Sequence, residues 1–217
     1  MTPLTRVTSP AVVLPRDNID TDMIIRIERL VLVPRRELGA YAFEMLRFLP
    51  DGSEDPDCPL NRPEFQSAEI LVSGRNFGCG SSREAAVWAL AGRGFRVIVA
   101  AGFGDIFRQN CLKNGILPVE LSATDHAALT ESLAAAPLGD VAVDLEAQTL
   151  SGPGGLTLSF SIGAFERDRL LAGTDEITAT LQHRDAILAH LAEWQASHPW
   201  VALDPGRLAA LGARQDH

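Results

Sequence analysis

Ile70-Leu71-Val72-Ser73-Gly74-Arg75-Asn76-Phe77-Gly78-Cys79-Gly80-Ser81-Ser82-Arg83-Glu84-Ala85-Ala86-Val87-Trp88-Ala89-Leu90 is an apolar run, a glycine-rich turn and a second apolar run in close succession. The first run is short and ends at a turn, as a buried strand does, while the second is rich in helix formers, giving a helix from about Ser81 to Ala91. Outward from it, Phe95 to Ala100 reads as the next strand, Gly104 to Lys113 as a helix and Ile116 to Glu120 as a third strand. Gly92, Gly94 and Asn114-Gly115 stand where helices stop, since these residues tolerate the left-handed conformation of a helix end. The alternation from Glu69 to Leu121 is therefore βαβαβ, which requires parallel strands and right-handed crossovers. The fold class is α/β.

Further along, Ser122-Ala123-Thr124-Asp125 opens a helix that runs to about Ala136 and is stopped by Pro137. Val141 to Leu150 and Leu156 to Ile162 alternate around Ser151-Gly152-Pro153-Gly154-Gly155, the pattern of an antiparallel hairpin. Leu181, Ile187, Leu188, Leu191 and Trp194 recur at helical spacing up to Pro199. Residues 50 to 64 gather Pro50, Gly52, Ser53, Pro56, Pro59 and Pro63 among acids, an irregular segment of the length that loops with a function often have.

The 217 residues, 46% of them hydrophobic, suffice for a packed core. No apolar run approaches the roughly 20 residues that span a bilayer, and the N-terminus lacks the apolar core of a signal peptide. A soluble cytoplasmic protein is expected, with no membrane partner. The formal charge of −9 argues against a broad nucleic-acid surface. Cys58, Cys79 and Cys111 are scattered singly, without CxxC or zinc spacing, so no metal site is expected in this chain.

The turn itself has two readings. Ser81-x-x-Glu84 fits a capping box, in which hydroxyl and carboxylate satisfy free N–H groups at a helix start. Gly78-x-Gly80 before it and Arg83 within it favour a ligand site, because glycines let backbone approach a ligand and a helix N-terminus favours an anion. The order matches neither a dinucleotide fingerprint nor a P-loop, and arginine suits a planar carboxylate. Small carboxylic acids are the expected ligands.

Asn76-Phe77-Gly78-Cys79-Gly80-Ser81-Ser82-Arg83-Glu84 resembles the signature of the swivelling domain of the aconitase superfamily. Asn18-Ile19-Asp20-Thr21-Asp22-Met23-Ile24-Ile25 resembles the N-terminal motif of the small-subunit family of 3-isopropylmalate dehydratase. So do Asp105-Ile106-Phe107-Arg108-Gln109-Asn110, Gly115-Ile116-Leu117-Pro118-Val119 and Leu181-Gln182-His183-Arg184-Asp185-Ala186-Ile187, in the family's order. The resemblance implies a three-layer β/β/α swivelling domain over residues 1–200, with an irregular substrate-loop region at about 26–66 and a C-terminal tail at 201–217. It also implies that no cofactor is bound by this chain and that a [4Fe-4S] cluster sits on a large subunit, in a heterodimer or heterotetramer acting on a small dicarboxylate in leucine biosynthesis.

Within that resemblance Ser81 matches the base, Arg83 the cation that stabilises its alkoxide and grips substrate, and Asp22 an acid facing the site. Ser82, Gly80, Cys79 and Asn76 match substrate-contacting positions. Arg35 and Arg47 lie in the part of the loop that selects substrate, where an arginine suits a second carboxylate. His183 is assigned to helix packing or the surface. Three positions depart from the pattern: Ala85 stands where histidine is usual, Arg75 where an acid is, and Arg26 where proline is. Arg75 and Arg26 add two cations near the expected cleft. Two other readings stay open: a dehydratase subunit for another 2-alkylmalate or methylmalate-type diacid, and a non-catalytic module that binds small carboxylates.

Overall fold

Strand β1 (Arg6–Leu14) joins two half-sheets, because its two ends pair differently. Ala11 to Leu14 run parallel to β2 (Ile70–Ser73), with Val12 opposite Leu71, whereas Arg6 to Pro10 run antiparallel to β5 (Asp140–Asp144), with Val7 opposite Val143. Pro10, which has no N–H to give a ladder, sits at the changeover. Beyond β2, β3 (Val97–Ala100) and β4 (Leu117–Glu120) continue the parallel half. Beyond β5, β6 (Thr149–Gly152) and β7 (Leu156–Ser159) continue the antiparallel half, giving the order β4-β3-β2-β1-β5-β6-β7.

The parallel strands are buried on both faces, which is why they read as continuous apolar runs. One face, with Val12, Leu71, Ile98 and Ala100, packs with Ala86, Val87 and Leu90 of α4 (Ala85–Arg93) and Phe107 and Cys111 of α5 (Asp105–Lys113). The other face, with Ile70, Val72, Val97, Val99, Leu117 and Val119, shares a core with Val141, Val143 and Leu150 of the antiparallel half and with Leu129 and Leu133 of α6 (Ala123–Ala135). The sheet curls so that its two halves form two layers, and α4 and α5 form the third. This is the β/β/α layering expected from the resemblance.

A computed structural model of the chain describes residues 1–198 and 200, so the expected tail at 201–217 lies outside the described residues. The chain divides into two compact units, Met1–Asp175 and a second that starts at Glu176. The first also contains α1 (Thr21–Ile24), α2 (Ile27–Leu32), α3 (Glu44–Arg47) and α7 (Ala164–Ala172); the second contains α8 (Glu176–Leu181) and α9 (Arg184–Ser197). His183 is exposed at the start of α9. Among the described residues no helix is long and apolar enough to cross a membrane.

Three local expectations are corrected. Helix α4 begins at Ala85, not near Ser81, and its N-cap residue Glu84 makes no side-chain capping bond. The predicted strand Val141 to Leu150 is two strands, because the chain turns at 145–148 and pairs Ala142 with Ser151. The apolar alternation marks no strand before residue 69, yet β1 is the longest strand described.

Candidate active site

Two segments distant in sequence build the site, and backbone hydrogen bonds lock them together. Asn18 N–H donates to the Arg75 carbonyl at 2.9 Å, Gly78 N–H to Ile19 at 2.7 Å, and Thr21 N–H to Cys79 at 3.0 Å. From the other side Phe77 N–H donates to Gly102 at 3.0 Å, and Gly104 N–H to Phe77 at 2.9 Å. Asn18 and Asn76 are both left-handed, at φ 56°, and Asn76 Nδ2 donates to Asn18 Oδ1 at 2.8 Å. Gly78, at φ +72°, lies over the Phe107 ring, and a Cβ there would stand 2.1 Å from Phe107 Cγ. Only glycine fits that approach.

Ser81 stands in the stretch between this turn and α4, and its hydroxyl is the meeting point of the site. Arg83 Nε–H donates to Ser81 Oγ at 2.8 Å and Arg83 N–H at 3.3 Å, while Thr21 Oγ1 lies 2.7 Å away. The two terminal nitrogens of Arg83 grip the Asp22 carboxylate, Nη2 to Oδ2 at 2.8 Å. Asp22 holds the guanidinium above its ordinary pKa, so Arg83 is a permanent cation. Neighbouring Asp20 has the humbler task of capping α1, its Oδ1 accepting from Met23 N–H at 2.7 Å. Of the two acids in this motif, Asp22 therefore holds Arg83 and Asp20 makes the turn.

The capping-box reading is corrected by the same contacts. Ser81 Oγ is engaged by Thr21 and Arg83, and Glu84 Oε1 accepts from Asn114 Nδ2 at 2.6 Å. Asn110 Nδ2 donates to the Ser82 carbonyl at 3.4 Å, so α5 props the turn from below. Ser82, Gly80 and Asn76 are exposed, and Cys79 is half-buried with its carbonyl committed to Thr21. Thr21 belongs to this network although neither the motifs nor the spacing give it a role. Its place between Asp20 and Asp22, in the segment paired with the turn, is the signal that marks it.

The structure does not bring Arg47 or Arg35 into the hydrogen-bond network of Ser81. Arg47 is buried, donating to the carbonyls of Ala40 and Ala42 and to Asn61 Oδ1, with Glu54 3.7 Å away. Arg35 lies over the Trp88 ring, 4.2 Å from its centre, and donates to Asn114 Oδ1 at 3.1 Å. The two cations gained in departing from the family pattern both bring their own acids. Arg75 pairs with Asp17 at 3.0 Å, and its backbone and side-chain hydrogen bonds hold the Asp17 carboxyl below the usual range. Arg26 pairs with Glu28 and Glu44, beside a cavity of about 500 Å³ that is also lined by Arg29, Tyr41, Met45 and Phe48.

Among the described residues no three His, Cys, Asp or Glu side chains stand together as metal ligands. Cys58 and Cys111 are buried singly in the core, and Cys79 belongs to the turn. Thiols placed singly in this way do not fit an iron–sulfur cluster.

Residues 1–124 match the model of the aconitase C-terminal domain. The 3-isopropylmalate dehydratase small subunit of Dinoroseobacter shibae is 45% identical over 201 residues, which is 93% of this chain and all of that protein. The protein of the same name from Chloroflexus aurantiacus is 47% identical over 199 residues, covering 92% of this chain and 97% of that one. A crystal structure titled 3-isopropylmalate dehydratase from Methanocaldococcus jannaschii, 23% identical, superimposes with a TM-score of 0.61 over 85% of this chain and 98% of that one, and shares its fold. The chain belongs to the family of 3-isopropylmalate dehydratase small subunits, built on the aconitase C-terminal domain.

Proposed function

We propose that this chain is the small subunit of a hydro-lyase that interconverts 2-isopropylmalate and 3-isopropylmalate by dehydration and rehydration in leucine biosynthesis. Ser81 is its base. The observation that carries this reading is the convergence of donors on Ser81 Oγ from an arginine that Asp22 holds in place. A neutral hydroxyl is too weak a base to take a proton from carbon, and fixed donors together with a permanent cation stabilise the alkoxide that can.

The Ser81 alkoxide takes the proton from the carbon next to a carboxylate. The electron pair of that C–H bond becomes the new double bond as the C–O bond of the neighbouring carbon breaks, its pair departing with the oxygen as hydroxide, which the rehydration step adds back at the other carbon. Rehydration with the opposite regiochemistry returns the proton from Ser81 to carbon. The exposed Ser82 hydroxyl, Gly80, Asn76 and the half-buried Cys79 offer the surface beside Ser81 on which the dicarboxylate is received. Arg35, exposed at the edge of the loop, is retained for a second carboxylate; Arg47, with its hydrogen bonds spent inside the loop, is not.

The dispersed thiols support placing the [4Fe-4S] cluster on a large subunit, with which this chain forms a heterodimer or heterotetramer in the cytoplasm. The test is co-expression with the cluster-bearing large subunit from the same source. The isolated chain is expected to be inactive and the complex to isomerise 2-isopropylmalate, with turnover lost in Ser81→Ala by about 10³-fold or more. Full turnover in that variant removes Ser81 as the base. Activity on a shorter 2-alkylmalate or on methylmalate, without activity on 2-isopropylmalate, moves the assignment to a sister enzyme; ligand binding with no activity in any complex makes the chain a binding module.

A further inference from the structure

We propose that Thr21 is a positioning residue for the base, serving Ser81 as a reversible hydrogen-bond partner that accepts from its hydroxyl and donates to its alkoxide. The proposal rests on the reading of Ser81 as the base. Thr21 is 1% exposed, and the hydrogen bonds of its side-chain hydroxyl are both with Ser81. Two contacts define it: Thr21 Oγ1 accepts from Ser81 N–H at 3.3 Å and lies 2.7 Å from Ser81 Oγ.

Counting lone pairs and protons fixes the direction of the second bond. A neutral serine hydroxyl has two lone pairs and one proton. Arg83 Nε–H and Arg83 N–H, groups that only donate, occupy both lone pairs. The resting Ser81 must therefore give its own proton to Thr21 Oγ1, the nearest oxygen. Once Ser81 is deprotonated, by solvent water or by returning its proton to carbon, a third lone pair opens on Oγ. The Thr21 O–H then turns to fill it, while Ser81 N–H continues to donate to Thr21 Oγ1. No proton leaves Thr21 in either state. It supplies a third donor to the anion at no cost in new structure, because the two oxygens are already in place.

A purely structural threonine makes the opposite prediction. If the β-methyl packing of Thr21 were what mattered, valine would be tolerated and serine would be damaging. If the hydroxyl matters, the order reverses. In the complex with the large subunit, assayed with 2-isopropylmalate, Thr21→Val is expected to lower kcat by about 10- to 100-fold, less than the loss of a sole oxyanion donor because the two donors from Arg83 remain, with KM changed less than about threefold. The acid limb of its pH–rate profile is expected to move to higher pH, because the alkoxide has lost a stabilising partner. Thr21→Ser is expected to recover kcat to within about threefold of the parent.

Thr21→Ala and Thr21→Ser both lack the methyl and differ only in the hydroxyl, so their ratio answers the question even if the valine variant does not assemble. Equal turnover for Ala and Ser, or a Val variant with parental kcat and an unmoved pH profile, overturns the role of Thr21. Ser81→Ala run alongside separates the two claims. If it abolishes turnover while Thr21→Val keeps the parental kcat, Ser81 stands and Thr21 falls; if it leaves turnover intact, the reading beneath both falls.

Discussion

Arg83 meets Asp22 fork to fork with its two terminal nitrogens, and this leaves its Nε–H directed at Ser81 Oγ at 2.8 Å. One guanidinium thus spans an acid on the N-terminal segment and a hydroxyl on the glycine turn. Its planarity aims the third nitrogen once the other two are held. Lysine cannot reproduce this, because a single ammonium has no fork to hold and no separate nitrogen to aim. Arg83→Lys is expected to lower kcat by about 10²-fold or more with little change in melting temperature. Asp22→Asn, which presents an amide to the guanidinium and removes the orienting charge, is expected to give a smaller loss, about 10-fold. Steady-state kinetics of the two-subunit complex measure both, and a parental kcat in Arg83→Lys would show that the Nε contact is dispensable.

Much of this arrangement was written locally. The strands β2 and β3 are buried on both faces and show as unbroken apolar runs, and the glycines between them mark each turn. The start of α4 was not legible, because Ser81-x-x-Glu84 describes a capping box equally well until Thr21 and Arg83 claim the serine and Asn114 claims the glutamate. Those partners are tertiary, and Thr21 is 60 positions away. The break between β5 and β6 was hidden by Leu145, a buried apolar residue that continues the alternation and whose N–H, donating to the Thr5 carbonyl, carries the pairing with β1 one step past Asp144 as the chain begins to turn. Family motifs reached Asp22 and Ser81 but not the demotion of Arg47, which depends on carbonyls at Ala40 and Ala42 that only a folded loop assembles.

Gly78 and Gly80 both have positive φ, yet they answer to different constraints. At Gly78 a Cβ would fall within 2.1 Å of the buried Phe107 ring, which itself stacks edge-on to Phe77 with centres 5.4 Å apart. At Gly80 the nearest atoms to a Cβ are Asp20 Cβ at 3.5 Å and Thr21 Oγ1 at 3.7 Å, so only the left-handed backbone resists substitution. Gly78→Ala is expected to cost about 2–3 kcal/mol and Gly80→Ala about 1 kcal/mol. The second variant is the informative one for function, since it strains the residue before Ser81 in a protein that still folds. Thermal unfolding of both chains orders the costs; equal losses would contradict the role given to Phe107.

Arg47 offers a direct choice between substrate binding and structure. Its guanidinium is buried, and with Asn61, which donates back to the Arg47 and Asp55 carbonyls, it ties α3 to the irregular segment. Arg47→Met keeps the stem and removes the donors, leaving Asn61 Oδ1 and two carbonyls without partners. A loss of about 2–4 kcal/mol is expected, with KM for 2-isopropylmalate unchanged once the complex is assembled below its melting temperature. A raised KM with undiminished stability would return Arg47 to the substrate.

The three thiols sort by burial, and their order tests both core and site. Burial pushes the Cys58 thiol up and the Cys111 thiol well above the ordinary cysteine range, whereas Cys79 is half-exposed on the turn. A maleimide at neutral pH is expected to label Cys79 rapidly and the other two only on unfolding. Because Cys79 gives its carbonyl to Thr21 and stands two residues before Ser81, the adduct should abolish turnover, and bound dicarboxylate should slow its formation. The raised pKa also fixes the sign of an alkaline effect. Folded Cys111 keeps its proton while the unfolded thiol loses its own near pH ~8.5, so the unfolded state binds fewer protons and stability falls as pH rises above that point. Cys111 alone contributes a slope of about 1.4 kcal/mol per pH unit there, continuing until its own raised pKa is reached. Cys111→Ala, although less stable at neutral pH for want of the sulfur, is expected to show a shallower decline above pH ~9 in denaturant titrations. An unchanged slope would mean that the thiol of Cys111 is not shielded in solution and that the packing of α5 beneath the glycine turn is looser than its burial indicates.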